Sequence, residues 1–435
     1  MTGIQTHQYG IDVIADNLAN VGTTAYKSTT TEFADLFSKV IGNNTPTYND
    51  VGHGVKLQAT SFQMQQGALM PSERFNDLAL EGNGWFGVVS EKETSYTRAG
   101  NFVFDEYQKT PGDVNSSVAR LTTTDGKYVT GTMLTNHSYD EKFDYGDKTV
   151  NGVTGAYVVT NATNEVELKE VDSQGILEFP TRLAYPVEPT TKAQFFGNLP
   201  PDNQLHTISA NVISGNNEQN HLKLTFTQSA TQPTTGVAWD IVATVTSNDG
   251  SKVYDTQTGQ AIFDGRGGLS SCSITSVDND GMPVAVDLGS SFKGVISIDG
   301  LAASGSSRSD GVSGGVLTQY GINQNGVIVA DFSNGRQSAI GRIAVYHFQN
   351  DQGLNREGGT YYQESADSGK PMFWRDADGN AITGAIVRSG NLETSNVRVD
   401  VGLTDMIIMQ RAYQANSKII TTVDEMIQKA ISMHR

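Results

Sequence analysis

Both ends of the chain carry an apolar repeat whose spacing alternates between three and four residues, and this feature constrains the fold most. The N-terminal repeat consists of Ile4, His7, Ile11, Ile14, Leu18 and Val21. The C-terminal repeat consists of Met406, Met409, Tyr413, Asn416, Ile420, Val423, Ile427 and Ala430. Such heptad seams are narrower than the apolar stripe of an ordinary globular helix. They predict helices that pair with each other, with neighbouring copies or with both, while packing of each helix on its own domain remains the alternative.

Local signals set the expected limits of these helices. Gly22 offers a left-handed stop after the first seam. Asp400 is a plausible N-cap for the second helix, because its carboxylate can accept hydrogen bonds from the free N–H groups of the first turn. Gly402 weakens that turn by up to about 1 kcal/mol relative to alanine. The sequence thus predicts terminal helices within 1–22 and 397–435.

The middle of the chain reads as β-structure. Apolar bursts or alternating apolar residues occur at 82–89, 222–226 and 242–245. The clearest hairpin joins 326–329 to 343–345 through the Asn334-Gly335 pair, which predicts a type I′ turn. Short strands at this density predict β-sandwiches or small barrels.

Charge and composition exclude several classes of function. The chain carries 47 Asp and Glu against 30 Lys and Arg, for a net charge of −17, so it repels nucleic-acid phosphates and anionic lipid. No apolar run approaches the ~20 residues of a membrane span. The N-terminus lacks the basic start and apolar core of a cleavable signal. Cys272 is the only cysteine, so the chain has no internal disulfide. We interpret Cys272 as a small buried apolar residue, with a cross-linking thiol as the alternative.

Residues that could carry chemistry are scattered. The seven histidines form no helical metal pair, and none neighbours a Ser or Cys in a nucleophile motif. Two acidic clusters, 278–281 and 376–380, and the glycine-rich stretch 264–268 are interpreted as turns rather than calcium or phosphate loops. We therefore expect no catalytic residue, no metal site and no cofactor. A secreted carbohydrate-binding protein is the competing hypothesis, with Tyr361, Tyr362 and Trp374 as exposed stacking residues.

Several motifs, in order along the chain, resemble the bacterial flagellar rod and hook proteins. Near the N-terminus these are 16–21 (DNLANV), 23–28 (TTAYKS), 78–86 (LALEGNGWF) and 97–102 (TRAGNF). Towards the C-terminus they are 353–354, 358–359, 364–369, 389–397 (SGNLETSNV), 410–418 (QRAYQANSK) and 421–426 (TTVDEM). Weaker matches at 195–199 and 253–255 resemble the inserted domain of hook proteins, which favours a hook subunit over a distal rod protein.

The resemblance implies a mainly β chain with α-helical termini and nested domains. The implied division is a helical, coiled-coil core from 1–22 and 397–435, an extended linker or arm at 23–65, an inner β-domain from 66–149 and 305–396, and an inserted outer β-domain at 150–304. Contacts between subunits are expected at seam residues of both helices: Ile4, Ile11, Ile14, Leu18, Val21, Met406, Met409, Tyr413, Asn416, Ile420, Val423 and Ile427.

The same resemblance implies a function and a location. The chain would be a subunit of a self-assembling, curved tube that transmits torque from rod to filament. Its partners would be copies of itself, the distal rod, the hook–filament junction proteins, the hook cap and the type III export apparatus. It would lie outside the cell in the flagellum, exported without a cleaved signal peptide.

Overall fold

A computed structural model describes residues 2–36, 39–40, 50–51, 54–90, 93–108, 117–140 and 155–433. The protein is mainly β with one long helix at each end, as the sequence predicts. Helix α1 spans Thr2–Ala19 and helix α2 spans Val399–Met433. Single 3₁₀ turns lie at Val171–Ser173 and Asp351–Gly353. Two of the histidines considered above, His53 and His434, lie outside the described residues.

The largest sheet, with the short strand pairs beside it, forms the first β unit. Its strands are Trp85–Ser90, Glu93–Thr97, Val103–Gln108, Ser117–Thr122, Tyr128–Met133, His137–Asp140, Ala156–Val159, Gly175–Ile176, Glu178–Pro180, Leu183–Tyr185, Gly315–Ile322, Val327–Phe332, Gln337–Ile343, Val345–Tyr346, Asn355–Gly358 and Tyr361–Gln363. The short pairs are Leu69–Pro71 with Asn391–Glu393, Leu78–Glu81 with Ile386–Ser389, and Trp374–Arg375 with Ala381–Ile382. Its core contains Phe86, Phe102, Phe179 and Ile328, all of which are buried.

Two further sheets, within residues 192–309, form the second β unit. One consists of Lys192–Asn198, Ser276–Asn279, Met282–Asp287, Gly289–Ser290, Lys293–Ile296 and Ser304–Ser309. The other consists of His206–Ile213, Gln219–Gln228, Val237–Ser247, Val253–Phe263 and Leu269–Cys272. Their inward side chains share one buried core around Phe195, Phe226, Trp239 and Phe263. The alternation of buried and exposed residues along Gln219–Gln228 explains why this segment was recognisable as a strand.

Two chain segments connect the β units, one leading into the second unit and one returning from it. Glu188 and Val312 form an antiparallel bridge, in which each N–H donates to the other's carbonyl at 2.9 and 2.8 Å. Strands Ala156–Val159 and Leu183–Tyr185 belong to the large sheet, since Tyr157 pairs with Leu183 and Ala184 pairs with Val316. The strand pairing therefore departs from the predicted limits of the insert at 150 and 304. The shift in composition at 150 does not coincide with a change of sheet.

In the described part of the predicted arm, 23–65, two strands pair with each other. Thr29–Asp35 runs antiparallel to Val55–Phe62, with an irregularity in register at Glu32 and Phe33. Between them in the sequence, the short strands Lys39–Val40 and Asp50–Val51 also pair antiparallel to each other. Both long strands pack against α1. The arm is thus a β-ribbon lying on the first helix, and most of 37–53 is outside the described residues.

The turns are partly as predicted. The hairpin of Val327–Phe332 and Gln337–Ile343 is confirmed, but its turn is not type I′, because only Gly335 of the Asn-Gly pair has a positive φ, of 76°. The turn at Asp280-Gly281 has the two positive φ angles, 54° and 85°, between paired strands. The stretches 264–268 and 376–380 also form turns, each closed by an aspartate side chain that accepts backbone N–H groups.

Two of the three residues proposed for carbohydrate stacking are in the core. Tyr361 and Tyr362 are 8% and 3% exposed, because strand Tyr361–Gln363 lies inside the large sheet, paired with Glu93–Thr97. Trp374 alone of the three is exposed. The prediction of an exposed aromatic platform at these positions is therefore wrong.

Candidate functional site

The two terminal helices contact each other in an antiparallel arrangement. A Cβ placed on Gly3 would lie 3.1 Å from Nδ2 of Asn416, and one placed on Gly10 would lie 3.3 Å from Sδ of Met409. Residue numbers along α1 therefore rise in the direction in which residue numbers along α2 fall. The glycines allow the backbone of α1 to approach the side chains of α2 at these two points.

The buried face of α1 is offset by one residue from the predicted seam. The predicted positions Ile4, His7, Ile11, Ile14 and Leu18 are half-buried. The two fully buried residues are Thr6 and Gly10, which belong to an adjacent row with the same alternating spacing. That row consists of Gly3, Thr6, Gly10, Val13 and Asn17. Sequence reasoning missed it because small and polar residues do not register as an apolar repeat, although two glycines one heptad apart were a usable signal.

Polar side chains fix the end of α1 to the chain that follows it. The amide of Asn17 donates to the carbonyl of Thr29 at 2.7 Å and accepts from its N–H at 2.8 Å. The hydroxyl of Tyr26 donates to Asp16 at 2.9 Å, and the Arg356 guanidinium lies 4.8 Å from the centre of the Tyr26 ring. Burial raises the pKa of Tyr26. Val21, a predicted contact residue, lies beyond the last residue of α1 and is exposed.

The predicted seam of α2 divides into two halves. Met406, Met409, Tyr413 and Asn416 are half-buried along the part that faces α1. Ile420, Val423 and Ile427, further along, are exposed. Residues 418–433 extend past the start of α1 by about 24 Å at the helical rise of 1.5 Å per residue. We call this segment the α2 overhang.

The exposed apolar side chains of the α2 overhang lie on the predicted seam and also outside it. Beside the seam lie Ile419, Met426 and Met433, exposed to 62%, 61% and 84%, and Ile431 is exposed to 66%. A side chain of this size gains about 1.5–3 kcal/mol when it is fully buried. The segment is therefore a helix whose apolar surface has no cover within the described part of the chain.

A groove with a mixed polar and apolar lining lies beside the helix pair. It has a volume of about 440 Å³ and lies between α1, the β-ribbon and the first turns of α2. Its apolar lining includes Ile14, Leu18, Phe33 and Val401. This groove and the α2 overhang together form the candidate site for association between copies.

Groups suited to catalysis do not converge in the described residues. No cluster of three or more His, Cys, Asp or Glu side chains is placed to hold a metal ion in that part of the chain. His347 is buried, and its Nε2 lies 3.0 Å from the carbonyl of Thr383; burial lowers its pKa. Cys272 is half-buried against the core of the second β unit, and burial raises the pKa of its thiol. Neither described helix is apolar enough over a sufficient length to cross a bilayer.

Comparisons with known proteins concern the whole chain and its C-terminal end. The family model described as "Flagellar basal body rod FlgEFG protein C-terminal" matches residues 388–433. The flagellar hook protein FlgE of Borreliella burgdorferi is 30% identical over 464 residues, covering 100% of this chain and 98% of the relative. The proteins of the same description from Treponema pallidum and Escherichia coli are 27% and 26% identical with the same coverage. The crystal structure of Helicobacter pylori flagellar hook protein FlgE2 is similar with a TM-score of 0.49 and 16% identity, covering 75% of this chain and 100% of that chain.

Proposed function

This chain belongs to the flagellar hook protein family, and on that premise we propose that its copies polymerise through their terminal helices into the tube of the bacterial hook. The chain is a structural subunit of the hook and therefore part of the flagellum. The observation that carries the mode of assembly is the uncovered apolar surface of the α2 overhang.

The α2 overhang is the surface that assembly would bury. Its side chains Ile419, Met426 and Ile431 each offer about 1.5–3 kcal/mol on full burial. We place the partner surface in the groove beside α1 of a neighbouring copy, where Ile14, Leu18, Phe33 and Val401 supply apolar contacts. The heptad spacing of both helices suits pairing along their length, so the assembled helices would form a coiled-coil core. The contact residues predicted from the sequence, among them Ile420, Val423 and Ile427, belong to this proposed interface.

The domain arrangement follows from the same model. The helix pair and the β-ribbon would line the inner part of the tube, the first β unit would surround it, and the second β unit would lie outermost. We expect the contacts between β units of neighbouring copies to slide while the helices stay packed. A tube of this kind would bend and still transmit torque.

Family membership extends the proposal to partners and location. A hook subunit would meet the distal rod at one end of the tube, and the junction proteins and cap at the other. It would reach the outside of the cell through the type III export apparatus, without a cleaved signal peptide. A structural role of this kind needs no catalytic site.

Electron microscopy of the purified chain under polymerising conditions tests the proposal. We expect tubes from the full chain, and none from a chain that lacks 1–22 and 400–435. The truncated chain should retain the circular dichroism of folded β units, which separates loss of assembly from loss of folding. Tubes formed by the truncated chain would contradict assembly through the helices.

A further inference from the structure

Both terminal helices join the first β unit at one place. The chain leaving α1 and the chain entering α2 run side by side there, since the N–H of Ala25 donates to the carbonyl of Glu393 at 2.8 Å, and the N–H of Asn396 to that of Tyr26 at 3.2 Å. The side chain of Asn396 accepts from the N–H of Ser28 at 2.7 Å. We call this pair of segments, 25–28 and 393–396, the junction.

A buried carboxylate lies at the centre of the junction. Oε1 of Glu393 lies 2.6 Å from Nζ of Lys27, and Oε2 lies 3.0 Å from Nε of Arg98. The side chains are 0%, 1% and 1% exposed. Oε1 also accepts the N–H of Gly67 at 2.9 Å. One carboxylate therefore links the segment after α1, the segment before α2 and two parts of the first β unit.

Arg98 and Lys27 also bind backbone carbonyls. The Arg98 guanidinium donates to Gly84 at 3.1 Å and to Gly82 at 2.8 Å, and Lys27 donates to Gln65 at 2.9 Å. These bonds attach the charged groups to loops and strands of the β unit in fixed directions. A guanidinium has a rigid planar set of donors, so it constrains orientation as well as distance.

A gain in stability is not the only role open to this arrangement. Two basic side chains face one carboxylate, and desolvation together with the nearby Arg98 lowers the pKa of Lys27. Desolvation usually cancels much of the attraction in a buried ion pair, and apolar replacements are often equally stable. The alternative role of such groups is to specify one geometry.

The geometry that matters here is the direction of the helices. Glu393 lies six residues before α2, and Lys27 lies eight residues after α1. Helix α2, with 35 residues, is about 52 Å long at 1.5 Å per residue. A tilt of about 10° at the junction moves its far end by about 9 Å, which equals the usual distance between packed helices.

We infer that Glu393, with Lys27 and Arg98, is a positioning residue that sets the direction of the helix pair relative to the first β unit in the polymer. This rests on the proposed function. Without the carboxylate, the α2 overhang meets the wrong part of a neighbouring copy. With the carboxylate in place the junction is rigid, so bending of the tube takes place at contacts between β units.

Two variants test this inference against one matched control. Lys27→Met keeps Arg98 and Glu393 as a one-to-one pair, so folding should be retained; Glu393→Gln removes the charge that both cations share. The control Glu81→Gln removes the partner of Arg388, an exposed ion pair of 2.7 Å on the neighbouring strands. Thermal unfolding reports on the β units, and electron microscopy reports on the helical rise and twist of the polymer.

We expect Lys27→Met to unfold like the unaltered chain but to form polymers of altered rise and twist, or to need about tenfold more protein to polymerise. Glu393→Gln should have the same effect or a larger one, and Glu81→Gln none. Unchanged polymers from Lys27→Met would overturn the inference, whether or not Glu393→Gln folds. Absence of polymers from the unaltered chain would overturn the proposed function itself, and this inference with it.

Discussion

Glycine sets the separation of the two terminal helices at the residue scale. A Cβ on Gly10 would meet Met409 at 3.3 Å and the ring of Phe33 at 3.4 Å, so α1 is confined between α2 and the β-ribbon at this position. Gly402, in α2, has open space where its Cβ would lie. A larger side chain would therefore meet close neighbours at Gly10 and none at Gly402.

Replacing Gly10 by leucine should force α1 away from α2. Overpacking of a close contact costs about 1–3 kcal/mol, whereas leucine at Gly402 should cost nothing and improve the helix by up to about 1 kcal/mol. Amide hydrogen exchange in α1 of the monomer measures the effect; polymerisation does not serve here, because Gly402 lines the groove beside α1. Equal exchange rates in Gly10→Leu and Gly402→Leu would show that the glycine row does not control the contact.

The residues of the α1 seam show what periodicity can and cannot predict. Spacing identified the helix and the half-buried positions such as Ile11 and Ile14. It did not identify Thr6 and Gly10, the residues that are fully buried, because an apolar repeat describes side-chain character and not the distance between backbones. The turn at Asn334-Gly335 has a similar limit, since the sequence predicted a hairpin correctly but not the backbone angles of its loop.

At the scale of elements, the length of α2 relative to α1 matters most. The C-terminal seam predicted a long helix, and α2 spans 35 residues against 18 for α1. The overhang could not be predicted, because it depends on the antiparallel direction of the pair and on where the contact starts. Both are tertiary properties that a repeat in one segment does not encode.

Polar replacements on the α2 overhang should prevent assembly without unfolding the subunit. The double variant Ile419→Gln and Met426→Gln removes apolar surface worth about 1.5–3 kcal/mol per side chain on burial, so the protein concentration required for polymers should rise more than about tenfold. The control Lys418→Gln and Glu425→Gln changes adjacent polar residues at no net change in charge. Sedimentation of polymers measures both, and equal polymerisation by the two double variants would contradict the proposed interface.

At the scale of the whole molecule, the two β units have separate cores. The buried residues of the second unit's core lie between Ala193 and Val295. Composition placed the start of this unit near 150, but the strands between 156 and 185 add to the large sheet. Sheet membership depends on pairing with residues more than a hundred positions away, as between Ala184 and Val316, and composition carries no record of such pairing.

The second β unit should fold alone, and the rest of the chain should fold without it. We expect a fragment of residues 190–310 to unfold in one cooperative transition, because its core is complete. Joining Glu188 to Val312 through Asn-Gly should leave the first unit folded, since a two-residue turn fits between bridged strands. Calorimetry of both proteins checks this, and a fragment without a cooperative transition would show that its core depends on the first unit.

Alkaline pH should destabilise the first β unit. Burial raises the pKa of Tyr346, Tyr361 and Tyr362 to about 12, from 10.0. The folded form therefore favours the neutral hydroxyl, and stability present below pH 10 is lost as the pH rises from about 10 towards 12. Denaturant titrations across this range should show the loss, reduced by about 2–3 kcal/mol in Tyr362→Phe. A variant with an unchanged profile would show that Tyr362 does not contribute.

The bridge between Glu188 and Val312 makes the second β unit a detachable attachment. Facing backbone positions in such a hydrogen-bonded pair are about 5.5 Å apart, so any folded domain whose two ends lie close together could be grafted between them. The register of the large sheet would not have to change, whatever the size of the guest. A tube of such chimeric subunits would display one copy of the guest per subunit, at the regular spacing of its helical lattice.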